Sequence, residues 1–304
     1  MAKIGIKTKN MSFAFAESTN VTLDYALHCH NHYEVYYFLD GDVDYLVEGQ
    51  KYSPAPGSML LLAPHVFHGV KINSSRPYRR YTIHFDQEIL SLERRNFLLS
   101  PFSSLMQNPA GKVYFENVER YHIPTYFQDY DSLRHCDIDE KIRTQMVSIS
   151  MEALLSRVVY MYEAEAATIS DIHSDTISRI IWYLNQHLKE DVTLDQISEK
   201  FFISKHHLNK IFRKATGTTV FDYLIRKRIS MAQHLLINGF SAQDAAIESG
   251  FDDYSAFYRS YVRVLGHAPS QDKGGGLILN HHLDSKMESV VLRDKETFLR
   301  SSSM

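Results

Sequence analysis

Residues 193–217 read TLDQISEKFFISKHHLNKIFRKATG, and residues 241–266 read SAQDAAIESGFDDYSAFYRSYVRVLG. The two runs share one plan: a short capped helix, a tight turn, a second helix and a closing glycine, Gly217 in the first and Gly266 in the second. Thr193 and Gln196 have the spacing of a capping box, in which each side chain meets the other residue's orphan N–H. Leu194, Ile197 and Phe201 then share a face. After a further cap at Ser204, Leu208, Ile211, Phe212 and Ala215 recur at helical spacing. Ser241 with Asp244 repeats the cap in weaker form, and Ala245 and Ala246 are small enough for close helix packing. Gly250 stands where a sharp turn needs positive φ. Phe257, Tyr261 and Val264 make the apolar stripe of the last helix.

Between the two units, Thr219 to Asn238 is a helical run without Gly or Pro, carrying Arg226, Lys227 and Arg228. Upstream, Ile177, Ile180, Ile181, Leu184 and Leu188 mark another amphipathic helix, which holds the only tryptophan, Trp182. The block is therefore all-α. Two helix-turn-helix units in series can lay two helices into successive turns of the DNA major groove. The plainer alternative is a helical bundle or dimerisation domain.

From Ile203 to Pro269 the chain resembles the DNA-binding domain of the AraC/XylS family of bacterial transcription regulators. The resemblance rests on Ser204, Leu208, Phe212, Gly217, Tyr223, Arg228, Ala232, Leu235, Leu236, Gly250, Phe251, Phe257, Arg259, Gly266 and Pro269. It implies base contacts at His206, Asn209 and Lys210 in the first unit and at Tyr254, Ser255, Tyr258 and Arg259 in the second. Lys205, Arg213 and Lys214 then flank the first recognition helix as phosphate contacts, while Arg228 either touches DNA or ties the two units together. The chain departs from the family after Pro269, where Ser270-Gln271-Asp272-Lys273 replaces the usual aromatic-then-Arg ending.

A length of 304 residues predicts about two domains, and 44% hydrophobic with 23% charged residues is ordinary globular composition. No apolar run is long enough for a membrane span. The opening MAKIGIKTKN lacks the apolar core of a signal peptide. Cys29 and Cys136 are few and unpatterned, so a cytoplasmic, reducing location is expected. The net charge of −3 does not exclude DNA binding, because positive charge is local: Lys205, Lys210, Arg213, Lys214, Arg226, Lys227 and Arg228 stand against Asp222 alone between Ser204 and Arg228.

The N-terminal part reads differently. Short β-rich runs begin at Glu34, Val43, Met59 and Tyr81, separated by the turn signals Asp40-Gly41, Glu48-Gly49 and Pro56-Gly57. Many short strands at this spacing predict an antiparallel barrel or jelly roll. The expected fold is thus α+β and multidomain: a cupin-like barrel with following helices over 1–167, an all-α domain over 168–273, and a loosely attached tail over 274–304.

Barrel chemistry concentrates in HCHNHYE. His28, His30, His32 and Glu34 alternate, so a strand would point all four to one face. With His68, these residues resemble a cupin metal site. The first cupin signature is met by His28, His30, Glu34 and Gly41. In the second, Pro64 and His68 are present, but the spacing is one residue short and the glycine is absent. Imidazoles and a carboxylate suit a divalent metal. They also suit hydrogen bonding to a polyol, and the barrel of this regulator family commonly senses an effector without catalysis. The expectation is therefore an effector pocket built from His28, His30, Glu34, Tyr36, His68 and His84, with no tightly bound metal, no other cofactor and no catalytic residue. A sugar leads as effector class, because Tyr33, Tyr36, Tyr37, Tyr45 and Tyr81 offer stacking faces, although tyrosine is also an ordinary strand residue.

Ser91 to Met106 has some helical periodicity, and the run from Lys112 reads as a strand. From Asp139 to Ala167 a long helix is expected, with a stripe of Ile142, Met146, Ile149, Ala153, Ser156 and Tyr160 that either dimerises or packs on the barrel. The hinge falls at Ala166 to Ser174. The expected partners are double-stranded DNA, a small polar effector, a second copy of the chain and, by the resemblance, RNA polymerase. Two other readings stay open: a metal-dependent cupin enzyme with a helical appendage, and a constitutive DNA binder whose barrel only dimerises.

Overall fold

A computed structural model describes residues 3–23, 25, 27–107, 112–133, 136–165 and 176–273. The described residues hold nine strands, eight of them ahead of the first α-helix: β1 (Lys3–Lys7), β2 (Met11–Ser18), β3 (Tyr33–Asp40), β4 (Val43–Val47), β5 (Gln50–Tyr52), β6 (Met59–Leu62), β7 (His68–Ile72), β8 (Tyr78–Phe85) and, later, β9 (Tyr114–Phe115). Every ladder is antiparallel. Six strands pair in the order β1-β2-β8-β3-β6-β9 and three in the order β5-β4-β7, with an isolated bridge between His28 and His68. The expected barrel is thus seen, among the described residues, as two antiparallel sheets rather than one closed ladder.

Alternation along β3 sets the site. Tyr37 points outward and stacks on Phe127. Glu34, Tyr36 and Phe38 take the opposite face, where the Tyr36 ring meets Tyr45 of the smaller sheet. Along that face Glu34 pairs with His84 of β8. Two expected features differ. Residues 28–32 are not strand, since β3 begins at Tyr33, so strand alternation does not align their histidines. Strands β1, β2, β5 and β7, which carry weak turn signals, join the sheets as well.

Helices cover the outer face. After α1 (Arg95–Leu98) and α2 (Ser100–Gln107) come α3 (Ile123–Leu133) and the long α4 (Glu140–Glu165). Helix α4 buries Val147, Met151, Leu154, Leu155, Val158 and Met161 in the core of the β domain. The stripe expected to pack or dimerise lies elsewhere on this helix: Ile142, Met146, Ile149 and Tyr160 are exposed. The hinge Ala166–Ser174 and the tail 274–304 lie outside the described residues.

The C-terminal helices are α5 (Thr176–Gln186), α6 (Leu194–Phe201), α7 (Lys205–Thr216), α8 (Val220–Ile237), α9 (Ala242–Glu248) and α10 (Tyr254–Leu265). Helix α8 serves two cores at once. Val220, Tyr223 and Leu224 pack with α5, α6 and α7, while Ile229, Ala232 and Leu236 pack with α9 and α10. The chain stays anchored past Pro269: Asp272 is buried and accepts hydrogen bonds from Tyr261 and Gln233. No helix among the described residues is long and apolar enough to cross a membrane.

Candidate nucleic-acid interface and sensory centre

The two helix-turn-helix units are built alike. Thr193 and Gln196 form the full capping box at α6. Ser204 caps α7, accepting from the His207 N–H, and Ser241 caps α9, accepting from the Asp244 N–H. The fourth cap, Asp253 on the Ala256 N–H, carries no serine or threonine cue and was not expected. Helices α7 and α10 are both 12 residues long, and both end on a left-handed glycine, Gly217 and Gly266. The offset that carries Gly217 onto Gly266 also carries Asn209 onto Tyr258 and Lys210 onto Arg259. Leu208 and Phe212 turn into one core, and Phe257 and Tyr261 into the other. That leaves His206, Lys210, Arg213 and Lys214 exposed on α7, with Asn209 half-buried beside them, and Tyr254, Ser255, Tyr258 and Arg259 exposed on α10.

The positive patch is smaller than composition implied. Lys205 is exposed but pairs with Asp195 at 2.7 Å. Arg226 pairs with Asp222 at 2.8 Å. Arg228 donates to the carbonyls of Leu188 (2.7 Å) and Glu190 (2.6 Å), closing the end of the α5 segment. Lys227 is buried against the β domain. The free-facing cations of the first unit are therefore Lys210, Arg213 and Lys214.

The contact that removes Lys227 was not visible in the sequence. Glu48 and Gly49 form the two-residue turn between β4 and β5, both at positive φ, a conformation that glutamate seldom adopts. A Cβ at position 49 would also press on the Ile181 Cδ1 methyl of α5, so the turn sits directly against that helix. The turn aims Glu48 into the C-terminal helices. Its carboxylate accepts from Lys227 Nζ at 2.5 Å, from Asn185 Nδ2 at 3.3 Å, from the Tyr223 hydroxyl and from the Phe67 N–H at 2.7 Å. Burial, together with the Glu48 charge, pushes the Tyr223 phenol well above its ordinary value. Beside it His65 Nδ1 lies 2.7 Å from Ser230 Oγ of α8, and the His65 carbonyl accepts from Lys227.

Between the two sheets, the expected pocket residues do converge. Glu34 Oε2 lies 3.1 Å from His30 Nε2 and 3.3 Å from both His68 Nε2 and His84 Nε2. The His28 ring meets the His68 ring edge-on at 4.3 Å. His32, not among the expected pocket residues, stacks on His30 at 3.8 Å. Alternation put His32 on the face of His28, His30 and Glu34, but it is the bend at Asn31-His32, rather than a strand, that turns the ring inward. Burial pushes His30 below the usual imidazole range and His32 well below it. Burial would raise the Glu34 carboxyl, but the His84 charge and the hydrogen bonds of its imidazole neighbours outweigh it and hold the group well below the carboxylate range. Tyr36 is buried one step further along, with its hydroxyl 3.0 Å from that of Tyr78. The tyrosines that pointed to a sugar use their rings in packing: Tyr33 stacks on Phe85, Tyr37 on Phe127 and Tyr81 on Phe13.

Comparison with known proteins bears on both halves. Residues 197–273 match the profile of a helix-turn-helix domain, and residues 10–120 match that of an AraC-like ligand binding domain. The chain is 27% identical over 242 residues to YbfI of Bacillus subtilis (strain 168), an uncharacterized HTH-type transcriptional regulator, covering 74% of this chain and 80% of that one. It is 24% identical over 143 residues to an uncharacterized HTH-type transcriptional regulator of Staphylococcus aureus (strain COL), where the match spans 47% of this chain but only 19% of the relative. Among solved structures, ToxT from Vibrio cholerae aligns over 86% of this chain and 97% of its own, with 16% identity and a TM-score of 0.36.

Proposed function

We infer that this chain, which belongs to the AraC family of helix-turn-helix transcription regulators and carries an AraC-type ligand-binding domain, reads a two-part DNA site with α7 and α10 under the control of a small polar effector. The family is one of regulators and not of enzymes, which sets aside the cupin-enzyme alternative. One observation carries the two-part reading: α7 and α10 are 12-residue helices with equivalent caps that present polar residues at equivalent positions. Asn is suited to adenine and Lys or Arg to guanine. Asn209 and Lys210 are therefore the readers of the first half-element, and Arg259, with Tyr254, Ser255 and Tyr258, of the second. Lys205, Arg213 and Lys214 neutralise phosphate and supply affinity without sequence preference.

The division of labour follows the sequence boundaries: residues 1–167 sense and dimerise, and residues 168–273 bind DNA. The effector is small and polar, because the groups gathered between the sheets are imidazoles and a carboxylate. The exposed apolar stripe of α4 supports a homodimer. A cytoplasmic location and RNA polymerase as a further partner complete the reading.

The test is selection from a random pool of duplex DNA with the full chain. The expected product is a motif of two elements about one helical turn, roughly 10 bp, apart. Asn209→Ala should relax one element and Arg259→Ala the other. Enrichment of a single element that ignores both substitutions would overturn the two-helix reading.

A further inference from the structure

We propose that Phe67, a residue of the β domain, is a positioning residue for α7, so that the β domain controls the first helix-turn-helix unit and leaves the second to itself. The consequence for DNA rests on the reading of α7 and α10 as base-reading helices; the packing does not.

The two units are cored differently. The core beneath α5, α6 and α7 takes in Phe67, which is only 3% exposed, with Leu27 and Cys29 packed against it. All three belong to the β domain. The core beneath α9 and α10 is drawn from α8, α9, α10 and their connections, with no β-domain residue among those described. Toward α10 the β domain instead faces a crevice, bounded by Cys29 and Phe67 on one side and by Val264 and Leu265 on the other.

Phe67 reaches the first recognition helix through two aromatic contacts. Its ring meets Tyr223 of α8 edge-on, with centroids 5.3 Å apart and planes at 70°. Tyr223 meets Phe212 of α7 in the same way, at 5.6 Å and 78°. Edge-to-face pairs are directional, so the tilt of one ring limits the tilt of the next. The stack is also clamped by polar contacts: Glu48 accepts from the Phe67 N–H and from the Tyr223 hydroxyl. Phe212 stands one turn beyond Asn209 on α7. At the end of the same helix, a Cβ on Gly217 would meet Leu27 Cδ1 at 3.1 Å, so the β domain abuts the closing turn as well.

The segments that present these side chains also line the sensory centre. His28 and His68 exchange backbone hydrogen bonds of 2.8 and 2.9 Å. Neighbours along such a pair point to opposite sides. The pair therefore turns His28 and His68 toward each other between the sheets, and Leu27, Cys29 and Phe67 toward the helices. A ligand that moves His68 moves the next residue along the chain, which is the brace of α7.

The experiment uses the full chain. Phe67→Ala empties the socket, and Phe67→Leu keeps an apolar side chain in it. Hydrogen exchange read by mass spectrometry follows α7 and α10 separately. In Phe67→Ala the α7 amides should exchange about tenfold faster and the α10 amides at the wild-type rate, because a lost core side chain frees the element that packed on it. Binding to the selected two-element site, with each element scrambled in turn, reads the consequence. Discrimination at the α7 element should fall about tenfold, and discrimination at the α10 element should stay as it was. Phe67→Leu should restore most of both. Wild-type exchange in α7 of Phe67→Ala overturns the positioning role, whatever happens at DNA. A rise shared equally by α7 and α10 in both variants overturns it as well, since that is general destabilisation. Faster α7 exchange with discrimination intact at both elements overturns the control of reading. If no two-element site is selected while exchange still separates α7 from α10, the brace stands and the DNA reading of the helical half is overturned.

Discussion

The carboxylate of Glu48 meets the ammonium of Lys227 at 2.5 Å, and both side chains are less than a tenth exposed. One residue belongs to a hairpin turn of the β domain and the other to the helix that unites the two helix-turn-helix units. Asn185, Tyr223 and the Phe67 N–H supply the further hydrogen bonds that a buried carboxylate needs. Removing one partner strands the other, so Lys227→Met should lower stability by about 3–5 kcal/mol. The double variant Glu48→Leu/Lys227→Met should recover most of that loss. Equilibrium denaturation of the wild type, Glu48→Leu, Lys227→Met and the double variant checks this, and additive effects in the double variant would mean that the pair does not form in solution.

Asn209 and Lys210 lie side by side on α7, the first half-buried and the second exposed. Each Ala substitution is expected to weaken specific binding by about 1–3 kcal/mol and to relax one base position. Quantitative binding to the selected site and to its single-base variants is the measurement. Unchanged preference in both variants removes α7 from base reading.

Arg259 stands where Lys210 stands in the first unit. If it reads a base, Arg259→Ala loses discrimination at one position. If it only neutralises phosphate, affinity falls evenly and the salt slope drops by about 1. Titrations at several salt concentrations tell the two apart, and we expect loss of discrimination.

Arg228 closes the carbonyls of Leu188 and Glu190 and lies half-buried between α8 and the α5 segment. Its substitution by alanine should therefore lower the melting temperature of the protein while leaving the selected DNA motif unchanged. Normal melting with lost DNA binding would place Arg228 at the DNA instead.

Local signals made the helical half readable. Thr193, Ser204 and Ser241 cap where their spacing said, because a cap needs only neighbours three residues away. Glu34, His68 and His84 were readable as residue types, but their meeting depends on the pairing of β3 with β8 and on the bridge from His28 to His68. His32 shares the alternation of His28, His30 and Glu34 but reaches the cluster through a bend rather than a strand. Glu48 carried no cue, since a glutamate before glycine reads as a turn, and only the packing of that turn on α5 and α8 makes it a buried ion-pair partner. Lys227 was misassigned to a DNA-facing patch for the same reason: composition counts charge but not direction.

Helix α4 is the remaining test of assembly. Its inner face is spent on the β-domain core, yet Ile142, Met146, Ile149 and Tyr160 stay exposed on the other side. Exposed apolar residues scattered singly need no explanation, but a row at helical spacing is the form of a helix-to-helix contact. A second copy with the same row can cover it about a two-fold axis. Ile149→Asp places a charge in the middle of that row, so it should shift the protein from dimer to monomer in sedimentation equilibrium. Because position 149 is exposed in the single chain, its monomeric fold should change by no more than about 0.5 kcal/mol. A wild-type chain that is monomeric at tens of micromolar, or a dimer indifferent to the substitution, would place the contact elsewhere.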